Sequence, residues 1–453
     1  MTITTHEIIN RTNLRKLGAA FALLVLLAAS YLLFRDELVP RNVAIFLSAV
    51  LTAAVTAAVL LFPSEPRKRM AQASVAPRVH RDESGPVLLV GGAGYIGSIV
   101  ARRLLDSGVK VRMLDRLVYG YAAIEGILQH PNFELIVGDC RNIQTVVGAV
   151  QGASAIVHLA AIVGDPACDV DRQTALETNY SATRMLIEVA KGHRIRRFLF
   201  ASSCSVYGAT DVMADERSPV QPLSLYAQTK VDSEQALFAA RSDSFQPTIL
   251  RFATIFGYSH RPRFDLVVNL LTARAHQEGV ITIFNGDQWR PFLHVEDAAE
   301  SILRMLQAPL GLVGGQVFNV GSPRMNYTLT QVAEKIREEF PELRVEHVEN
   351  ADRRDYRVSF QKIRSQTGFE SKRSLEHGIR ELKQVMQTGK VTDYRDISYD
   401  NCKFIKTIGS SSHADDIDAR VMAAFAAPTG TSRARLVTAQ EPARRDLVAV
   451  RAS

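Results

Sequence analysis

The sequence predicts an α/β protein: a doubly wound parallel sheet with a smaller C-terminal cap, preceded by a hairpin of two membrane-spanning helices. Three observations carry this. Val87–Val90 is a short apolar run that ends in three glycines at a spacing of three, Gly91, Gly94 and Gly97, and then opens into a helical stretch. Apolar strand-length segments alternate with helix-length segments from there to Gly257. Two long uncharged runs fill most of the chain before Pro63.

The first element is the hairpin, in residues 1–66. Leu17–Phe34 is 18 residues without a charge and Val43–Phe62 is 20. At about 1.5 Å per residue each can cross a hydrocarbon core of roughly 30 Å. Arg11, Arg15 and Lys16 precede the first span, and Arg67, Lys68 and Arg69 follow the second. Basic flanks face the cytoplasm, which predicts two spans of the cytoplasmic membrane with the rest of the chain inside and a lipid bilayer as partner. The second span follows too soon for the first to be a cleaved export signal. Residues 67–86 are rich in Pro, Ser, Arg and Ala without apolar period and read as a linker.

Residues 87–257 read as a Rossmann-type dinucleotide-binding domain. Gly91 permits the sharp turn, Gly94 lets a pyrophosphate approach the backbone, and Gly97 lets the helix pack on the strand. Tyr95 and Ile96 complete the turn, and the helix N-terminus offers N–H groups and a partial positive charge to phosphate. Asp115 closes the second strand, VKVRMLD, where an acid meets the ribose hydroxyls of a dinucleotide. Arg116 follows it and leaves a 2′-phosphate open, but Asp115 would repel that phosphate, so NAD is favoured over NADP. Further strands are predicted at Phe133–Val137, Ala155–Leu159 and Arg197–Ala201, with a helix over Arg172–Lys191. Asp139 stands at a strand end, placed either to meet the amine of adenine or to cap the next helix. His158 follows three apolar residues and reads as a core histidine.

Tyr226 and Lys230 are four apart, on one face of a helix. The ammonium is expected to lower the phenol's pKa and make Tyr226 a general base. Ser203, at a strand end, adds a hydroxyl to hold the reacting oxygen.

Residues 258–407 read as a cap. Helices are predicted at Phe264–His276, Val295–Leu306 and Thr328–Phe340, the last with Leu329, Val332 and Ile336 on one face, and strands at Val280–Phe284 and Val317–Val320. His260, Arg261 and Arg263 are placed either to meet phosphates or a sugar or to serve as plain loop. Residues 408–453 are rich in Ala, Ser, Arg and Thr and are expected to be disordered.

The net charge is +7, with much of the basic excess beside the apolar spans, and no basic, aromatic-interleaved stretch occurs in the folded region, which argues against nucleic acid. Cys140, Cys168, Cys204 and Cys402 form no CxxC pair, which argues against a disulfide framework and a zinc site, and no metal is expected.

From about Pro86 to Phe404 the chain resembles the extended short-chain dehydrogenase/reductases that act on nucleotide sugars, the family of the NAD-dependent 4-epimerases and 4,6-dehydratases. The stretches that carry the resemblance are GGAGYIGS, VRMLD, GDCRN, HLAA, ETNYSAT, FASSCSVYG, YAQTK, LRFATIFG and NGDQWRPFLHVEDAAE. The resemblance implies Ser203, Tyr226 and Lys230 as the catalytic set. It implies cofactor contacts from Asp115, Asp139, Cys140, Ala160, Ala161, Thr178 and Ala253, with Arg116 a departure that leaves NADP open, and substrate contacts from Ser203, Thr254, Arg263 and Arg290, the last at the sugar-nucleotide pyrophosphate. It implies a homodimer, since the family often pairs through a helix bundle. The dehydratases carry an Asp-Glu pair where this chain has Cys204-Ser205, which argues against dehydration. The expectation is a membrane-tethered nucleotide-sugar 4-epimerase; the alternatives are a 4-ketoreductase that consumes reduced cofactor, a 4,6-dehydratase, and a non-catalytic dinucleotide-binding scaffold.

Overall fold

A computed structural model gives the structure of the protein and describes residues 85–351 and 354–409. Both predicted spans, nearly all of the linker, and the tail from residue 410 lie outside the described residues. Among the described residues no helix is long and apolar enough to cross a membrane.

The chain first lays down β1 (Val87–Val90), β2 (Val111–Asp115), β3 (Phe133–Val137), β4 (Ala155–His158) and β5 (Arg197–Ser203). An outlying β6 (Ala209–Ala214) precedes β7 (Gln246–Phe252). Then come β8 (Thr254–Phe256), β9 (Val280–Phe284), β10 (Trp289–His294), β11 (Gln316–Val320), β12 (Asn326–Thr328), β13 (Arg344–Val348) and β14 (Asp355–Val358). Seven of these form a parallel sheet in the order β11-β7-β5-β4-β1-β2-β3. The chain winds outward from β1 through β2 and β3, then crosses to β4 and winds the other way. The carboxyl ends of β1 and β4 therefore flank the switch point, where ligands settle in such sheets.

All of β1 is buried, and its side chains alternate between two apolar layers: Val87 and Leu89 face one, Leu88 and Val90 the other. Helices cover both faces, which is why the strand is a continuous apolar run and not an alternating one. The predicted 172–191 helix is present as Arg172–Leu176, a π-turn at Glu177–Ser181, and Ala182–Gly192.

The sheet reaches beyond Gly257. β11 pairs with β7 from Gln316↔Thr248 to Val320↔Phe252. The helix Val295–Gln307 packs on the helix Gly97–Asp106, with Arg103 ion-paired to Glu296 and, at 3.1 Å, to Glu300. Both segments fall in the half assigned to the cap from sequence. Parallel pairing joins strands far apart in the chain, so period alone does not reveal it.

The cap proper gathers the helices Val267–Glu278, Leu329–Glu339 and Leu375–Gln387 around Leu271, Ile281, Ile283, Val332, Ile336 and Ile379. Thr328 and Gln331 close a capping box at the start of the second of these. The last described helix, Asn401–Ile408, starts at Asp400, whose carboxylate accepts from the Lys403 amide at 2.9 Å.

Candidate active site

One cavity of about 710 Å³ runs from the carboxyl ends of the sheet strands into the cap. That is within the usual range for ligand sites. It is lined by Gly91, Gly94, Tyr95, Ile96, Gly97, Asp115, Arg116, Cys140, Ala160, Ala161, Thr178, Ser203, Tyr226, Lys230, Ala253, Thr254, Arg263 and Arg290. Of the site residues predicted from sequence, Asp139 and His260 are not among the lining.

The glycine turn is built for close approach. Gly91 has φ +83°, and a Cβ there would lie 2.5 Å from the Ala160 nitrogen. A Cβ on Gly97 would lie 2.6 Å from the Gly92 Cα, so the helix packs directly on the turn. Ile96, at the cap position, offers no side-chain acceptor; the Ser98 amide donates to the Gly94 carbonyl at 3.0 Å and the Ile99 amide to the Ile96 carbonyl at 3.1 Å, so the helix opens directly out of the turn. The Asp115 carboxylate holds the turn by accepting from Ala93 at 2.9 Å, and accepts from Leu117 at 2.8 Å. Burial raises its pKa, against the pull of those two amides and of Arg116 and Arg261.

Asp139 departs from both sequence readings. It lies beneath the cavity wall, with Arg141 at 2.9 Å and Arg116 at 3.2 Å on one carboxylate oxygen. The cap of the following helix, Ile143–Val150, is Asn142, whose side chain accepts from Thr145. Arg116 is thus tied to Asp139.

Two buried hydroxyls on the cavity wall, Thr178 Oγ1 and Ser205 Oγ, find no partner among the described residues. Such groups are seldom left alone in a folded chain, so they mark places where a ligand supplies the bond. Thr178 rides on the π-turn, a distortion found mostly at functional sites. Its neighbour Asn179 pins the loop leaving β4, donating to the Ile162 carbonyl at 2.9 Å and accepting from the Ile162 amide at 2.7 Å. Together with the glycine cradle and Asp115, these groups fit a dinucleotide.

Ser203 ends β5, and its neighbours anchor it from behind. Ser202 donates to Glu234 at 2.5 Å, Glu234 pairs with Arg251 at 2.6 Å, and the Cys204 thiol donates to the Arg251 carbonyl at 3.2 Å. Tyr226 lies in the first turn of the helix Leu225–Ala239, capped by Ser224. Tyr226 and Ser203 both line the cavity. Lys230 donates to the Ala201 carbonyl at 2.8 Å, 5.6 Å from the centre of the Tyr226 ring. The expected lowering of the Tyr226 pKa does not occur in this state. Burial pushes the phenol up, opposed by Arg263 and by Ser203. Burial also lowers Lys230 to about 8. Both groups are driven toward neutrality by the same loss of water.

At the substrate end, Arg263 is gripped by Asp265 through two hydrogen bonds of 2.9 and 2.8 Å. Arg290, expected either at a pyrophosphate or in a surface salt bridge, is buried, bonded to the carbonyls of Trp289 and Arg354 and over the Tyr356 ring. Sequence reasoning missed Tyr119, Asp165, Arg354 and Asn401, which also line the cavity. Asp165 and Arg354, ion-paired at 2.8 Å, lie 189 positions apart in the chain. No local pattern announces such a pair. His260 does not line the cavity.

His158 is buried, bonded to Thr183 at 2.9 Å and lowered by burial to about 3, a neutral core histidine. His294, His377 and Glu381 come together outside the cavity lining. His294 Nδ1 accepts from the Glu296 amide, so Nε2 carries the proton and donates to Glu381 at 2.9 Å. The pair is satisfied without an ion.

Residues 87–321 match the NAD dependent epimerase/dehydratase family. The chain is 30% identical over 308 residues to a dTDP-glucose 4,6-dehydratase of Streptomyces niveus, covering 65% of this chain and 90% of that protein. It is 26% identical over 272 residues to a UDP-glucose 4-epimerase of Lactobacillus helveticus, covering 55% and 81%. Among solved structures it is similar to MoeE5 in complex with UDP-glucuronic acid and NAD, at 27% identity and a TM-score of 0.59, covering 67% of this chain and 100% of that one.

Proposed function

The chain belongs to the NAD dependent epimerase/dehydratase family, and from that premise we propose that it is an NAD-dependent nucleotide-sugar 4-epimerase held at the cytoplasmic membrane by its N-terminal residues. The observation that carries the choice of epimerase is the pair Cys204-Ser205. Water elimination needs carboxyl groups at the positions where the family's dehydratases have Asp-Glu. Here Cys204 is fully buried, its thiol bonded to a backbone carbonyl behind the site, and Ser205 offers the cavity only a hydroxyl. Neither can act as the acid or base of a dehydration.

NAD, when bound, would supply the acceptor for hydride from the sugar C4 and the donor that returns it. The Gly91–Gly97 turn and Asp115 would hold it, with Thr178 adding a hydroxyl. The chain's own groups manage the proton. Tyr226 takes the proton of the 4-hydroxyl and later gives it back. Ser203, lining the cavity with Tyr226, holds the 4-oxygen in line with the base. Lys230 favours the phenolate when charged. Arg290, and Arg263 with Asp265, would fix the nucleotide diphosphate so that the keto sugar turns while its anchor stays. The membrane tether rests on the two uncharged runs with basic flanks.

The test is product analysis with UDP-, GDP- and dTDP-sugars, using the full chain as purified and no added reductant. Interconversion of 4-epimers without loss of water is expected. A 4-keto-6-deoxy product would make it a dehydratase. Turnover only with added NADH or NADPH would make it a ketoreductase. Bound NAD without turnover of any sugar in the panel would favour the scaffold.

A further inference from the structure

The helix Asn401–Ile408 lies well beyond residue 321, where the family match ends, yet Asn401, Cys402 and Ile405 form part of the cavity wall. Its placement follows from the sheet order. β1 runs between β2 and β4, so the loops leaving β2 and β4 stand on either side of the glycine turn. The helix touches both loops. The Phe404 ring is 4.7 Å from that of Tyr119, on the loop leaving β2. Asn401 Nδ2 donates to the Val163 carbonyl, on the loop leaving β4, at 3.3 Å.

Asn401 is also the point where the helix meets the charged groups of the cavity. Its Oδ1 accepts from Arg261 at 2.8 Å, and its amide donates at 3.3 Å to Asp265, the carboxylate that grips Arg263. Arg261 in turn lies 3.7 Å over the Tyr119 ring. Tyr119, Val163, Arg261 and Asp265 all line the cavity, so the helix attaches to the walls of the site. The helix packs on the helix Asp165–Val170 through one side only: Asn401 and Ile405 are buried, whereas Lys403, Lys406, Thr407 and Ile408 are exposed.

We propose that the Asn401–Ile408 helix is a clasp across the mouth of the dinucleotide crevice, latched by Phe404 on Tyr119 and by Asn401 on Val163, and that NAD exchanges only when the clasp lifts. Asn401 is a positioning residue here. The inference rests on NAD occupying the glycine-turn crevice and does not depend on the sugar. A resident cofactor suits a reaction that returns its hydride within each cycle.

The experiment measures exchange of bound NAD for isotopically labelled NAD on the full chain, read by mass spectrometry. Phe404→Ala removes one latch, and Phe404 is not itself a cavity-lining residue. It should speed exchange by about tenfold, the scale of one aromatic pair, while turnover at saturating NAD is retained. Lys406→Ala, on the exposed side of the same helix, should exchange like the unaltered chain. NAD should also slow amide hydrogen exchange across 401–408 in the unaltered chain. Should Phe404→Ala fail to fold by circular dichroism, Asn401→Ala decides in the same assay. Equal exchange rates in the latch variant and the unaltered chain overturn the clasp. An unaltered chain that takes up no NAD at all overturns the cofactor assignment with it, and the two failures are told apart by that control.

Discussion

Lys230 rests its ammonium on the Ala201 carbonyl, 2.8 Å away, and 5.6 Å from the centre of the Tyr226 ring. The helical spacing does bring the two residues to one face, but burial governs their charges. Tyr226 is pushed up and Lys230 is lowered to about 8, so the unliganded site holds two groups leaning toward neutral.

The first prediction concerns pH and stability. Unfolded, Lys230 titrates near 10.5; folded, near 8. Below the folded value it is charged in both states, and the folded chain bears the full cost of burying that charge. Between those values the unfolded chain binds more protons, so this residue makes stability rise with pH across that window. The cost at neutral pH is about 3 kcal/mol, since each tenfold change in proton affinity is worth about 1.4 kcal/mol. Lys230→Met removes it and gives up the hydrogen bond to Ala201, worth about 1 kcal/mol. The unliganded variant should therefore be about 2 kcal/mol more stable than the unaltered chain at pH 7. Urea unfolding at pH 7 and pH 10 checks this. A difference that stays constant with pH refutes it.

The second concerns the chemistry. Tyr226→Phe keeps the ring and removes the base. Turnover should fall at least about a hundredfold, the low end for general-base catalysis, with NAD still bound. Lys230→Met should be slow and hold NAD more weakly, and Ser203→Ala should be milder than either. The assay is interconversion of 4-epimers without added reductant. Near-normal epimerisation by Tyr226→Phe would remove Tyr226 from the reaction.

Sequence reading located the strands closely where a short apolar run is bounded by turn residues. β1, β3 and β9 have the bounds its apolar runs predict. Many of the cavity's sequence-predicted residues sit at strand ends or on the loops that follow them, and strand ends are visible in a single sequence. Long-range assembly was not legible. β11 returns to the sheet, Arg354 reaches Asp165, and Asn401 joins the wall, each across a separation that leaves no periodic mark. Charge states were also hidden. Asp139 looked free at a strand end, but Arg116 and Arg141 fill its coordination, and the Tyr226–Lys230 spacing carries no information about burial.

The third prediction concerns cofactor choice. The unaltered chain should bind NAD in preference to NADP, because Asp115 would repel a 2′-phosphate and Arg116 is held on Asp139. Asp115→Ser should narrow the gap by weakening NAD and admitting NADP. Titration of both cofactors by intrinsic fluorescence checks it. Equal affinities in the unaltered chain would refute it and place Arg116 on the phosphate.

The fourth concerns the anchor behind Ser203. Glu234→Ala would leave Arg251 buried without its carboxylate and free Ser202. Breaking a buried pair on one side costs about 3–5 kcal/mol. Thermal or urea unfolding should show a loss of that size. A change within about 1 kcal/mol, the scale of an exposed pair, would show that the pair contributes little.

The last prediction concerns the N-terminal residues. Two runs of 18 and 20 residues without charge, each with basic residues on its outer side, are long enough to span a bilayer as a hairpin. The described fold carries the whole candidate site between residues 90 and 409, and no helix in it is long and apolar enough to cross a membrane. The full chain should therefore sediment with membranes and resist extraction by high salt or carbonate, because burial of apolar spans is insensitive to ionic strength whereas a basic patch on anionic lipid is screened. A chain comprising residues 85–409 should stay in the supernatant and bind NAD. Release of the full chain by salt alone would reduce the tether to a surface attraction. Its recovery wholly in the soluble fraction would remove the hairpin and leave the catalytic proposal standing on the cavity alone.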